Sequence, residues 1–349
     1  MRRGTAIFAL LLISAFASRA FAAGPALVFE VSNSKVLFAE NADDPWHPAS
    51  LTKLMTAYLT FKALKAERIT LKTKIPCSAE AHKEPPSKIG LPIGGELTVD
   101  KALQALIVKS ANDVAVMLAE AVGGSQEKFI AQMNATAKKL GMTHTNYVNA
   151  NGLPDPRQIT TARDLAKLAR AVINEFPEYA HYWSMPQMRI GKSRLSSHNG
   201  LLKSLEGADG LKTGFTCDSG FNIAASATRD GRQIVAVVLG DSTSGERNVR
   251  AKSLIEYGFQ QNGWAQMFNH KTLDNMAYAP TVTSVTSVRE NVVSWNCNPP
   301  KHKKKRKKKK KKTSVQKETH KKTAPAKLDG AQQASASAQR LKGTLAETQ

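Results

Sequence analysis

The sequence predicts an α+β fold: an antiparallel sheet flanked by helices, with a helical subdomain inserted. Three observations predict it. Two β-rich runs lie near residues 26–41, a long stretch of segments with apolar residues at helical spacing follows, and from about residue 185 the apolar period changes to 2 before a last helical segment.

The first 22 of the 349 residues stand apart from the fold. Arg2 and Arg3 form a charged start, Thr5 to Ala17 an apolar run, and Ala20-Phe21-Ala22 a small-residue cleavage site, the pattern of an export signal. The run is too short and Ala-rich to span a bilayer, and no later stretch is apolar for long enough. The mature protein is therefore expected to be exported, to the periplasm or another extracytoplasmic space. Residues 23–262 read as one domain, 263–300 as a weakly patterned linker or residual β segment, and 301–349 as a disordered tail.

Within the domain, "ALVFEVSNSKVLFAEN" reads as a hairpin turning at Ser32 to Lys35. In "HPASLTKLMTAYLT" the apolar residues Leu51, Leu54, Met55, Tyr58 and Leu59 start a helix that runs to about Ala66. Ser50 occupies its N-cap position. A capping box would place Glu or Gln three residues on, but Lys53 stands there, a cation at the positive end of the helix dipole. "SKIGLPIGGELTV" reads as loop. Asp100 is expected to cap "KALQALIVK", whose apolar face is broken by "SAND" and resumed by "VAVMLAEAV". "EKFIAQMNATAKKLG" and "TTARDLAKLARAVINEF" are further helices, the second opening on a capping box of Thr161 and Asp164. "GLKTGFT", "GFNIAASAT" and "QIVAVVLGD" are strands, with Asp230-Gly231 turning the last two, and "ERNVRAKSLIEYGFQQ" is the closing helix.

Composition narrows the function. The net charge is +22, but residues 301–349 alone hold 17 Lys or Arg against 3 acidic residues, and the folded middle carries only about +5. The Lys run suits an anionic envelope surface, where each lysine is worth about 1 kcal/mol. Nucleic acid is excluded as partner by the export signal and by the absence of interleaved aromatics. The 8 His are scattered without metal-ligand spacing, so neither a metal nor another cofactor is expected. Cys77, Cys217 and Cys297 allow one disulfide and a spare thiol; Cys217 is expected as a buried thiol.

Ser50-Leu51-Thr52-Lys53 is an SxxK element, as are Ser32 to Lys35, Ser125 to Lys128 and Ser314 to Lys317. What distinguishes the first is its company. Ser110-Ala111-Asn112 interrupts a helix, and Lys212-Thr213-Gly214, the KTG of this chain, lies in a strand where Gly214 permits close backbone approach. SxxK, SxN and KTG, in this order, form the signature of penicillin-binding proteins and serine β-lactamases. "PASLTKLMTAY", "SANDVAVMLAE", "HNGLL" and "GADGLKTGFT" further resemble the low-molecular-mass D-alanyl-D-alanine carboxypeptidases, over roughly residues 26–262. The resemblance implies the serine transpeptidase and β-lactamase fold. It implies cleavage of the terminal D-Ala from peptidoglycan pentapeptides, and covalent inhibition by β-lactams. A DD-endopeptidase of the same fold, or a non-catalytic wall-binding protein, are the alternatives.

By that resemblance Ser50 is the nucleophile and Lys53 its base. Ser110 relays a proton while touching Lys53, and Asn112 bonds the substrate amide. Lys212 and Thr213 hold the terminal carboxylate with Arg247 nearby, and the N–H groups of Ser50 and Phe215 form the oxyanion hole. The family often has His where Phe215 stands, and no ExxLN element lies between Ser110 and Lys212, which implies slow release of penicillin. Physical chemistry sets the demand on Lys53. Half-neutralising a lysine at pH 7 needs a drop of about 3.4 pH units, or about 4.6 kcal/mol. The helix terminus offers about 1 kcal/mol. A second cation about 4 Å away, for which Lys212 is the candidate, offers about 4 kcal/mol at an effective dielectric of 20, and partial burial adds to it.

Overall fold

A computed structural model describes residues 24–261, 270–294 and 297. The export signal and the Lys-rich run lie outside the described residues.

The hairpin forms as β1 (Ala26–Glu30) and β2 (Val36–Glu40). A 3₁₀ turn at Ala49–Thr52 leads directly into α1 (Lys53–Lys65). The helical subdomain then opens with β3 (Lys74–Pro76), α2 (Ala79–Lys83), β4 (Glu96–Thr98) and α3 (Val99–Gln104). A π-helical turn (Ala105–Lys109) connects α3 to α4 (Asn112–Gly123), and α5 (Gln126–Lys139) and α6 (Ala162–Glu175) follow. The short strands β5 (Gln187–Ile190) and β6 (Ser193–Ser196) and the single turn α7 (Leu201–Ser204) precede the three long strands. These are β7 (Ala208–Thr216), β8 (Gly220–Arg229) and β9 (Arg232–Asp241), and α8 (Ser244–Gln260) follows them.

The hairpin and the late strands share one antiparallel sheet, in the order β2-β1-β9-β8-β7. Alternation along β9 serves both faces. Ile234, Ala236 and Val238 pack with Ala251 and Ile255 of α8, while Val235, Val237 and Leu239 join the larger core shared with α1, α4 and α6. The expected α+β architecture is therefore a sheet between α8 and the helical subdomain. β7 stays at the edge, which leaves one side of the KTG strand open to a ligand.

α1 is buried nearly all round, so its polar residues need partners inside the protein. Thr56 Oγ1 donates to the Ala150 carbonyl at 2.6 Å, and Thr60 Oγ1 to the Thr56 carbonyl at 2.8 Å.

Several local expectations are corrected. Ser50 caps no helix: the turn that carries it has no side-chain cap, and α1 begins at Lys53. Thr98, not Asp100, caps α3, its hydroxyl accepting from Lys101 N at 3.2 Å. Only half of the box at α6 forms. Thr161 accepts from Asp164 N, but the Asp164 carboxylate turns instead to His144 N and the Thr145 hydroxyl. The segment read as loop contains β4, paired with β3.

Residues 270–294 and 297, expected as a linker or residual β piece, pack along the domain in mostly irregular conformation. Lys35 bridges Thr272, Leu273 is fully buried, and the Met276 and Ala277 carbonyls accept from Arg163. Farther on, Arg289 and Ser287 bond the Asp218 carboxylate, and Cys297 is disulfide-bonded to Cys217. Cys217 is therefore not a free thiol; Cys77 is the free, buried one.

Candidate active site

Two glycines lie against the turn that carries Ser50. Gly214 on β7 lies against it, and a Cβ there would sit 3.0 Å from the Pro48 carbonyl and 3.1 Å from Ser50 N. Gly152 lies on its other side with φ +85°, where a Cβ would fall 1.9 Å from the Ala49 carbonyl. Ala49 itself has φ +48°. Only glycine fits at 152, where positive φ favours it again, and at 214 a side chain would crowd the turn.

Lys53 heads α1 with its side chain 1% exposed at residue level. Its Nζ donates to Ser50 Oγ at 3.0 Å, to Asn112 Oδ1 at 2.8 Å and to the Asn151 carbonyl at 2.5 Å. The last two partners can only accept. A neutral amine has two N–H bonds and one lone pair. With both N–H bonds committed to Asn112 and Asn151, the lone pair faces the Ser50 hydroxyl. Burial pushes the Lys53 pKa well below the lysine range, and the charge of Lys212 pushes it further. The second cation is the one the sequence pointed to, but burial is the larger cause.

Ser110 sits at the break between the π turn and α4, in the left-handed conformation (φ 60°, ψ 38°). Such backbone is costly for a non-glycine residue and marks sites where a side chain must be aimed. Its Oγ accepts from Lys212 Nζ at 2.9 Å. This corrects the expected contact with Lys53: the hydroxyl is paired across the cleft to the KTG lysine. Lys212 also donates to the Thr213 carbonyl, and burial, followed by the charge of Arg247, lowers its pKa to about 7.

Asn112 divides its side chain. Oδ1 accepts from Lys53, and Nδ2 donates to the Pro85 carbonyl at 2.9 Å, leaving one N–H for a ligand. Arg247, on α8, is buried. It is 3% exposed, lines the cleft, and donates to Asn248 Oδ1 and the His198 carbonyl. Phe215 stacks on Phe221 with centroids 4.2 Å apart, and both residues line the cleft.

The cleft, about 440 Å³, brings together Ser50, Ser110, Asn112, Thr213, Gly214, Phe215 and Arg247, with Lys53 and Lys212 bonded beneath to its lining serines. Four further contributors escaped the sequence reading. Asn151 offers Lys53 a carbonyl, and Gly152 packs the nucleophile turn. His198 lines the cleft, its pKa lowered to about 4 by burial and by neighbouring cations. Asp113, fully buried, binds the Ile89 and Gly90 N–H groups and so holds the opposite wall. Asp113 and His198 lie inside "SANDVAVMLAE" and "HNGLL", but their residue types alone gave no sign of these roles, nor did those of Asn151 and Gly152.

A family model described as D-alanyl-D-alanine carboxypeptidase matches residues 14–243. The D-alanyl-D-alanine carboxypeptidase DacC of Escherichia coli is 36% identical over 270 residues, 74% of this chain and 68% of that protein. DacD of Salmonella typhimurium is 37% identical over 69% of this chain and 63% of its own length. The chain thus spans about two thirds of these relatives. Among solved structures, penicillin binding protein 6B from Escherichia coli superposes with a TM-score of 0.66 at 36% identity, over 69% of this chain and 78% of that one. A penicillin-binding protein from Listeria monocytogenes in its cefotaxime-bound form gives 0.63 at 34%, over 68% and 97%. A shared fold and about one residue in three over the whole catalytic region decide the family: the chain belongs to the D-alanyl-D-alanine carboxypeptidases, serine peptidases of the penicillin-binding fold.

Proposed function

We propose that the protein removes the terminal D-alanine from peptidoglycan stem peptides through an acyl-enzyme on Ser50, and that β-lactams trap the same serine. The observation that carries this reading is that Asn112 and Asn151 take two N–H bonds of Lys53, so that once Nζ is neutral its lone pair is directed at the Ser50 hydroxyl 3.0 Å away.

The steps follow from the contacts. Ser50 Oγ attacks the penultimate D-Ala carbonyl as Lys53 takes its proton. The N–H groups of Ser50 and Phe215 receive the oxyanion, where one donor is typically worth about 10²–10³ in rate. As the C–N bond breaks, Ser110 passes its hydroxyl proton to the departing amine and regains one from Lys212. Water then attacks the ester. Lys53 returns its proton to Ser50, and the proton released by water restores Lys212. Thr213, Lys212 and Arg247 supply the hydroxyl and positive charge for the substrate carboxylate. Asn112 holds the substrate amide with its remaining N–H.

The export pattern and the Cys217–Cys297 disulfide both suit an oxidising extracytoplasmic compartment. Binding of the Lys-rich run to an anionic envelope surface is tested by sedimentation with anionic liposomes. Salt-sensitive binding that is lost on truncation near residue 300 is expected; equal binding by the truncated chain overturns it.

The principal test is labelling with a fluorescent penicillin, together with release of D-alanine from a D-Ala–D-Ala peptide. The unchanged protein labels and hydrolyses, and Ser50→Ala does neither. Labelling of Ser50→Ala would overturn the assignment. Digestion of purified cross-linked muropeptides separates carboxypeptidase from endopeptidase action.

A further inference from the structure

The hairpin of β5 and β6 has two unlike faces. Its strands pair antiparallel, with Met188 opposite Leu195 and Arg189 opposite Arg194, and they turn at Gly191-Lys192. Successive side chains point to opposite faces of a strand. Met188, Ile190 and Leu195 pack on the main core, whereas Gln187, Arg189, Arg194 and Ser196 are exposed on the other face. Lys192 is exposed at the turn.

Two cations directly opposite each other across a ladder repel and weaken the pairing. No counter-charge offsets them here. The chain has no Asp or Glu between Glu178 and Glu206. Among the described residues, none of Arg189, Lys192 and Arg194 enters an ion pair. Arg194 Nε donates to the neutral Gln187 side chain. Elsewhere on this protein arginines do meet carboxylates, as Arg170 meets Asp274 and Arg229 meets Glu256. The hairpin thus keeps a self-repelling group of cations that contributes nothing to its own folding.

Its place in the fold is beside the cleft. The hairpin packs against the π-helical turn that ends at Ser110, and the chain leaving β6 brings His198 into the cleft lining. The charges of Lys109, Lys212 and Arg247 all act on His198. The hairpin cations therefore continue, out to the surface, the positive charge at the end of the cleft assigned to the substrate carboxylate. Charge of one sign spread along a surface raises the local concentration of anions. The polymer within reach of the hairpin is the one that feeds the cleft. Every unprocessed stem peptide on it ends in a carboxylate, so it presents these anions repeatedly.

We propose that the outer face of the β5–β6 hairpin is a docking surface outside the cleft, where Arg189, Lys192 and Arg194 hold carboxylates of neighbouring stem peptides while one stem is being cut. The inference rests on the proposed carboxypeptidase reading, which supplies the polymer.

The test compares the full chain with its Arg189→Gln, Lys192→Gln, Arg194→Gln triple variant. Three quantities are measured: co-sedimentation with purified insoluble peptidoglycan, D-alanine release from a short soluble D-Ala–D-Ala peptide, and the urea denaturation midpoint. The variant is expected to bind peptidoglycan about five- to tenfold more weakly at low salt, and the difference is expected to shrink as salt is raised. Amidation of the polymer's carboxyl groups is expected to abolish the difference. For the short peptide kcat/KM is expected to stay within about twofold, since screened surface charges far from the reacting bond change binding little. The midpoint is expected to hold or rise, because a like-charge pair is removed. Equal binding of peptidoglycan by both proteins overturns the docking surface, and so does a difference that survives amidation. A lowered midpoint overturns it by showing the cations to be structural. Weaker binding to anionic liposomes with unchanged binding to peptidoglycan overturns it in favour of a lipid surface. Absence of D-alanine release from the unchanged protein overturns the parent reading, whereas equal binding with normal release overturns the docking surface alone.

Discussion

Ser50–Lys53 and Ser125–Lys128 carry the same SxxK pattern at the start of a helix, and the fold uses them in opposite ways. Ser125 is an ordinary N-cap: its hydroxyl accepts from Lys128 N at 3.2 Å, and Lys128 is exposed. Ser50 caps nothing, and its hydroxyl accepts from the Lys53 side chain instead. Each serine has a positive-φ glycine nearby. At Gly124, just before Ser125, an added Cβ meets nothing within 4 Å; at Gly152 it meets the nucleophile turn. What separates the capping serine from the one bonded to a buried lysine is what closes over it. Buried acceptors surround Lys53, and solvent surrounds Lys128.

The largest effect that could break this contrast is at the serines. Ser50→Ala is expected to lower peptide turnover by about 10⁴-fold or more, measured as D-alanine release. Ser125→Ala is expected to keep turnover and lose about 1 kcal/mol of stability in urea denaturation. Comparable turnover losses in both would end the distinction. Lys53→Arg, which stays charged, is expected to slow penicillin acylation by about 10²–10⁴-fold, whereas Lys128→Arg stays within about 0.5 kcal/mol in stability with normal acylation. Normal acylation by Lys53→Arg would remove Lys53 as base. Gly152→Ala is expected to cost about 10²-fold in acylation rate by displacing the nucleophile turn, while Gly124→Ala costs about 1–2 kcal/mol of stability from its φ alone.

The smallest effect is the pH response of the lysine across the cleft. Lys212 titrates near 7 in the folded protein against about 10.4 unfolded. Between those values the unfolded chain binds more protons, so this residue's contribution to stability rises with pH over that window and is lost as pH falls toward 7. Lys212→Met is expected to flatten that slope in denaturation curves taken from pH 7 to 10. An unchanged slope would mean that Lys212 keeps its proton. In the unchanged enzyme KM is expected to rise above pH 7, as the cation facing the substrate carboxylate is neutralised.

Much of the residue set that meets in the cleft was legible because it sits on regular elements at short spacing. One helical turn places Lys53 over Ser50, and the KTG strand runs in a single extended segment. The pairing of Ser110 was misread because it depends on how the subdomain docks against β7, which brings Lys212, not Lys53, to its hydroxyl. Asn151 acts through its carbonyl, Gly152 through the absence of a side chain, and Asp113 through loop N–H groups, so residue type gave little sign of them. The disulfide joins residues 80 positions apart, a distance no local pattern reports.

The sequence by itself determined the strands of the five-stranded sheet, the long helices and the three motifs, since these follow from apolar period and local spacing. The motif order singled out Ser50–Lys53 among the SxxK elements, but only the tertiary structure showed its lysine buried among acceptors. A lysine loses its proton when it is buried and near another cation, and burial is created by segments far apart in the chain. It also decided that Ser287, Arg289 and Cys297 pack against Asp218 and Cys217, because these residues, far apart in the chain, meet only in the folded protein.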